Sequence, residues 1–256
     1  MKKIKFYLYY LLGNILNLID LKIKKNNISK NPKVSIIITN YNYGKFLEKA
    51  IRSSLNQTYK NKEIILVDDN SNDKLTKKKL KEIKNKYKNK IKFIFLKKNV
   101  KLPKARNLGI KESTGELICC LDADDYLDKK YLEKSIPLFK KYKNVGIVYS
   151  WTKIFGKITS NWQPLNANLL LIKKANCISV SAVFLKRIWE KIGGFNEKMT
   201  EGYEDWEFWY RALKQGWRTK LIKEFLFYHR IHSKNMVYES DKKKKSLIKK
   251  IFYETS

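Results

Sequence analysis

Glu116 to Asp125 reads ELICCLDADD. Its first part is a short apolar run without polar–apolar alternation, as expected of a strand covered on both faces. It stops abruptly in three carboxylates, Asp122, Asp124 and Asp125. Four other stretches are short apolar runs rich in β-branched residues, several of them also without alternation: Val34 to Thr39 (VSIIIT), Glu63 to Val67 (EIILV), Ile91 to Leu96 (IKFIFL) and Val145 to Ser150 (VGIVYS). Helical periodicities lie between them. Phe46, Leu47, Ala50, Ile51 and Leu55 line one face, and Leu80, Ile83 and Tyr87 line a weaker second. Short buried strands alternating with helices predict an α/β fold, a mainly parallel sheet covered by helices on both faces.

Sheets of this kind bind ligands beyond the carboxyl ends of their strands. Polar clusters follow three of the strands at that end: Thr39-Asn40-Tyr41-Asn42, Asp68-Asp69-Asn70-Ser71 and Asp122-Ala123-Asp124-Asp125. The last crowds three acids that repel one another unless a cation sits between them. Mn2+ or Mg2+ takes hard oxygen ligands, commonly one or two carboxylates plus substrate phosphate oxygens. The same acids also suit a turn and helix cap. Asp69, with Thr39 and Tyr41 on the neighbouring strand end, offers an acceptor and an aromatic face that suit a nucleobase. Taken alone, its segment reads equally well as a cap.

Lys104-Ala105-Arg106-Asn107 falls between the third and fourth strands, within reach of the same opening. Arg106 carries weight because arginine is scarce in a lysine-rich chain, and a surface salt bridge is its alternative. Past about residue 150 the pattern loosens into aromatics and a Gly193-Gly194 turn. A helix from about Asp205 to Gln215 then puts Trp206, Trp209, Tyr210 and Leu213 on one face. Glu204 and Asp205 at its start complement the helix dipole, or Asp205 acts as a general base. The two histidines, His229 and His232, share a basic, aromatic segment.

The chain has 256 residues and 43% hydrophobic content, enough for one substantial core with a smaller appended part. Four regions are expected: 1–30, an amphipathic helix and linker; 31–150, the ligand-binding part; 151–240, a second part carrying Asp205; and 241–256, a basic tail. The net charge of +32 suggests an anionic partner. It is discounted because the excess is nearly all lysine and is accompanied by abundant asparagine and isoleucine. Three cysteines, with Cys119 and Cys120 adjacent, form no disulfide or zinc pattern and fit a reducing cytosol. Phe6 to Ile19 (FYLYYLLGNILNLI) lies between lysines and is short for an ordinary span, so it reads as an interfacial helix, with a helix docked on the protein's own surface and a true span as the alternatives. The segment from Asp241, with Leu247, Ile248, Ile251 and Phe252, reads as a second membrane-surface element.

These motifs together resemble the family 2 glycosyltransferases. VSIIITNYNYGKFLEKAIRSSLNQTY is similar to that family's opening strand, loop and helix, and KEIILVDDNSND to its nucleotide-binding strand end. KARNLGIKESTGELICCLDADD resembles the stretch ending in its metal-binding DxD, and IGGFNEKMTEGYEDWEFWYRALKQGW the segment with its catalytic base. The resemblance covers roughly residues 33 to 235 and implies the Rossmann-like GT-A fold. Carried over, it implies that Thr39, Tyr41 and Asp69 hold the base of a nucleotide-diphosphate sugar, with UDP favoured. Arg106 then lies near the diphosphate or sugar, Asp122 and Asp124 match the two acids of DxD with Asp125 a further acid, and the expectation puts Asp122 with the donor and Asp124 and Asp125 at a divalent metal, the division among the three staying open. His232 lies near the metal, ahead of His229, and Asp205 deprotonates the acceptor.

The implied reaction is an inverting transfer of one sugar to a glycan or lipid-linked acceptor, in cell-surface polysaccharide or glycoconjugate synthesis. The expected setting is cytoplasmic, peripheral at the inner face of the membrane, with no nucleic acid partner. Gln215-Gly216-Trp217-Arg218 does not match the QxxRW of the processive synthases. A nucleotidyltransferase would want a glycine-rich basic loop after the first strand, where this chain has Thr39-Asn40-Tyr41-Asn42-Tyr43-Gly44. A non-catalytic basic protein on an anionic membrane or nucleic acid leaves the ordered acids unexplained.

Overall fold

The computed structural model of the protein describes residues 2–19, 24–232 and 243–253. Its centre is a parallel half-sheet of β1 (Val34–Asn40), β2 (Lys62–Asp68), β3 (Lys92–Phe95) and β4 (Leu117–Asp122), in the order β3-β2-β1-β4. All seven residues of β1 are buried, which accounts for the missing alternation. A side chain of this kind, fully buried, contributes about 1.5–3 kcal/mol. The crossovers α2 (Gly44–Leu55), α3 (Lys74–Tyr87) and α4 (Leu102–Lys111) connect these strands. Leu47, Ala50 and Ile51 of α2 and Leu80, Ile83 and Tyr87 of α3 are buried, as the periodicity predicts.

The second half changes direction. β5 (Tyr126–Leu127), α5 (Tyr131–Lys141), β6 (Val145–Gly156), β7 (Ser160–Trp162), α6 (Leu169–Ile172) and β8 (Val183–Leu185) follow. Then come α7 (Lys186–Ile192), α8 (Glu204–Lys214) and β9 (Arg218–Ile231). The sheet continues beyond β4 as β8-β6-β9-β5, with β8 antiparallel to β4 and β6, β9 parallel to β6, and β5 antiparallel to β9. β9 is the longest strand among the described residues, and no apolar run in the sequence announces it. Its burial pattern is mostly intermediate, and it pairs with β6 along its length but with β5 at two residues alone.

Two helices lie outside this layer. α1 (Lys2–Ile19) precedes the sheet, and α9 (Lys244–Tyr253) packs on α8, with the Phe252 ring 4.8 Å from Tyr210 and 6.0 Å from Trp206. Leu247 and Ile251 are buried. This corrects the expectation of a second membrane-surface element at the C-terminus: its apolar side chains are spent on α8. Asp241 and Lys242 lie outside the described residues. Cys119, Cys120 and Cys177 are buried and unpaired, serving as small core residues.

Candidate active site

The ends of β1, β2 and β4 meet because their registers are aligned: Thr39 stands opposite Val67 on one side and Asp122 on the other. The turns after β1, β2 and β3 are strained. Asn42 (φ 60), Asn70 (φ 58) and Lys101 (φ 73) are left-handed, and Tyr203 (φ 61) faces them from the second half. Left-handed non-glycine residues cost free energy and persist where surrounding contacts over-determine them, commonly at functional sites.

Asp69 is 4% exposed. Its carboxylate accepts the Val100 N–H at 2.7 Å and the Lys101 N–H at 2.9 Å. Burial pushes its pKa up, and those two donors work against the rise. Its neighbour Asp68 turns the other way, to Asn40 and Ser71. One acid therefore ties the loop while the other edges the opening. Thr39 donates to Asp122 at 3.2 Å, and Tyr41 is exposed at the mouth.

Arg106 is 1% exposed, on the buried side of α4. It donates through Nη2 to Asp122 at 2.8 Å and through Nη1 to Glu204 at 2.5 Å. Burial works against its charge, but Asp122 and Glu204 outweigh it and hold the guanidinium firmly protonated. The surface salt bridge weighed from sequence is thus a buried bridge joining the two halves of the chain. Glu204, read from sequence only as dipole complement, is its second anchor. Asn107 beside it accepts from Trp189 Nε1 and Phe195 N–H and donates to Phe195 O, tying α4 to the Gly193-Gly194 turn.

Asp124 and Asp125 are adjacent in the chain and differently engaged. Asp125, 1% exposed, meets His229 Nδ1 at 3.0 Å and accepts the Arg230 N–H at 2.8 Å, which fastens β9 beside β4. Burial opposes the charge of His229, but Asp125 outweighs it and raises its pKa to about 9. Asp124 lies 3.0 Å from His232 Nε2. Burial, then the charges of Asp125 and Asp122, push Asp124 up to about 8. The His232 ring stacks on Phe46 at 5.4 Å and meets the edge of Tyr43 at 5.2 Å. Tyr43 also senses the acids: its hydroxyl is raised by burial and then by Asp124, Asp122 and Asp125. Among the described residues no three such side chains already converge as a metal site. The donor chemistry nonetheless fits a hard divalent cation, because Asp122 and Asp124 are crowded oxygen donors whose mutual repulsion a cation relieves, with phosphate oxygens completing its shell.

Asp205 begins α8 across the cleft. Its carboxylate accepts from Trp206 N–H at 2.7 Å and from Asn176 at 3.1 Å. Burial and then the Glu204 charge raise its pKa to about 7, against the pull of Arg106. A carboxylate poised there is suited to taking a proton near neutral pH.

A parallel half-sheet with acids at its carboxyl edge, extended by a mixed second half whose helix α8 carries a further acid across the cleft, is the architecture of the GT-A glycosyltransferases. The structure of S. aureus TarS 1–349 in complex with UDP-GlcNAc is similar over 80% of this chain and 60% of that one, with TM-score 0.69 and 21% identity. The mannosyltransferase PcManGT from Pyrobaculum calidifontis, solved with GDP-Man and Mn2+, is similar over 91% and 67%, with TM-score 0.64 and 16% identity. The chain thus spans about 60% of the TarS 1–349 structure it matches.

The sequence specifies the family. Residues 35–213 match the profile described as glycosyl transferase family 2, and the chain belongs to that family. An uncharacterized glycosyltransferase of Methanocaldococcus jannaschii is 30% identical over 223 residues, 84% of this chain and 76% of that one. The putative glycosyltransferase EpsE of Bacillus subtilis is 27% identical over 205 residues, 78% and 73% of the two chains.

Proposed function

We propose that this glycosyltransferase moves one sugar from a nucleotide-diphosphate donor, UDP-linked by preference, to a hydroxyl of a glycan or lipid-linked acceptor at a membrane surface, inverting the anomeric carbon. The observation that carries this reading is the contrast across the cleft. Asp69 and Asp122 are tied at the strand ends by two backbone N–H groups and by the buried Arg106, whereas Asp205 at the start of α8 meets only Asn176 and the Trp206 N–H, its pKa raised by burial and then Glu204 to about 7.

In this reading Asp69 accepts from a ring nitrogen of the base, Thr39 edges the same subsite, and Tyr41 offers its face. UDP-GlcNAc in TarS supports the uridine preference, and GDP-Man with Mn2+ in PcManGT supports a metal-dependent nucleotide sugar. Asp122 and Asp124, with His232 beside them, would hold the divalent cation. When bound, the cation supplies positive charge for the departing diphosphate. Arg106 fixes Asp122 relative to Glu204, so the donor side and the start of α8 keep one spacing. Asp205 takes the proton of the acceptor hydroxyl as its oxygen attacks. Orientation of the two substrates by this frame supplies the rest of the rate. The transferred sugar is of hexosyl or N-acetylhexosaminyl type.

Thermal stabilisation by UDP, GDP, CDP and dTDP, with and without Mn2+, tests this on the wild type and Asp124→Ala. A ligand that binds only the native state raises Tm by mass action. A rise selective for UDP, dependent on Mn2+ and lost in the variant is expected. No rise with any diphosphate in folded protein would overturn the reading.

A further inference from the structure

α1 has two apolar faces, and the structure uses one. Phe6, Tyr9 and Tyr10 pack against the core, and Lys174 stands 4.8 Å over the Tyr9 ring. At Gly13 the helix meets α6 so closely that a Cβ would lie 2.3 Å from Asn168 Oδ1. Asn168 donates to Tyr10 O at 3.0 Å while its Oδ1 caps α6 through the Leu171 N–H. The docked face is therefore built. On the opposite face Ile4, Tyr7, Leu8, Leu11, Leu12 and Ile15 are between 43% and 74% exposed. At 100° per residue they form one continuous stripe.

We infer that this stripe seats the protein on the surface of an anionic lipid bilayer, with α1 lying in the plane of the interface. Three observations select lipid over other occupants. The helix is amphipathic in the required sense, and no helix among the described residues is long and apolar enough to cross a membrane. Residues 1–33 carry eight lysines and one acid, Asp20, which complements anionic headgroups around a shallow apolar insertion. That same excess opposes a second copy of the chain, since two such segments brought face to face repel each other.

The seat also has a defined relation to the cleft. The segment 168–176 touches α1 at Asn168, accepts the Trp206 Nε1–H at Ile172 O (2.7 Å) and reaches Asp205 through Asn176 (3.1 Å). One short piece of chain therefore links the lipid-facing helix to the start of α8. The seat gives the membrane setting of the proposed function a physical basis, and rests on that reading only for the acceptor that a bilayer would present near Asp205.

The test is co-sedimentation of the full chain with phosphatidylcholine vesicles, with and without phosphatidylglycerol, for the wild type and a Leu8→Gln/Leu11→Gln/Leu12→Gln variant. These side chains are exposed and the substitutions keep the charge, so Tm and the UDP-induced rise in Tm are expected to stay unchanged. That rise reports on the donor site separately. Partitioning into the phosphatidylglycerol vesicles is expected to fall at least about tenfold, since each removed leucine withdraws apolar area from the bilayer. Equal partitioning of variant and wild type, lost in both on adding salt, would overturn the seat in favour of charge alone. So would a wild type that ignores vesicles but sediments as a dimer that the variant breaks.

Discussion

The two sides of the cleft hold their acids in opposite ways. On the β1–β2–β4 side, Asp69 is pinned by two backbone N–H groups and Asp122 by a buried guanidinium. On the α8 side, Asp205 has one amide side chain and its neighbour's N–H, with burial and then Glu204 pressing its pKa upward. The carboxylates at the strand ends are fixed by donors from other elements, and the group read as moving a proton is held only by Asn176 and an adjacent N–H, with its pKa raised to about 7. The difference lies in what surrounds each carboxylate.

The sharpest way to break this contrast is Asp205→Asn, which keeps the shape and removes the proton acceptor. Transfer is expected to fall about 10²- to 10⁴-fold, measured as product formation, while the UDP-induced Tm rise persists. Arg106→Met attacks the other side: it strands Asp122 and Glu204 without their cation, and unfolding free energy is expected to fall by about 3–5 kcal/mol in denaturant titration.

The adjacent acids divide next. Asp125→Asn weakens the hold on His229 and the Arg230 N–H, so about 2 kcal/mol of stability is expected to go with the metal-dependent Tm rise intact. Asp124→Asn is expected to do the reverse. A smaller effect comes from Asn176→Ala, which removes a hydrogen bond that lowers the Asp205 pKa. The acid limb of the rate profile, expected near pH 7 in the wild type, is expected to move to higher pH in the variant.

The sign of the stability linkage follows from the same shift. The folded pKa of Asp205 lies above its unfolded value, so its contribution to stability is full below about pH 4 and is lost as pH rises through about 7. Glu204 and Arg106 are the charged groups facing it. The Tm of Asp205→Asn relative to wild type is therefore expected to be higher at pH 8 than at pH 5, which calorimetry checks.

The half-sheet was legible because β1, β2 and β4 are buried on both faces and write that burial as unbroken apolar runs. The acids at their ends were legible because parallel strands deliver their carboxyl termini to one edge. β9 was not, since Lys220, Lys223, Glu224 and Arg230 interrupt any apolar run or period along it. Glu204 escaped because its partner Arg106 lies 98 residues away, and no local pattern encodes a pairing at that distance. Tyr43 was weighed only as part of a loop, and its place beside His232 depends on how α2 meets the end of β9. The N-terminal helix was legible as amphipathic, but its second, docked face depends on Gly13 fitting Asn168, a contact between segments far apart in sequence.

The Arg106 bridge has a consequence for anyone recombining this enzyme with its relatives. A cut near residue 150 looks natural, since the parallel strands end before it and the antiparallel ones follow. The guanidinium nevertheless has one carboxylate on each side of that seam. A chimera that imports a new second half must bring an acid at position 204 with it. Without one, the graft inherits a buried cation with half its counter-charge, and a swap confined to the second half would instead disturb Asp122 at the end of β4.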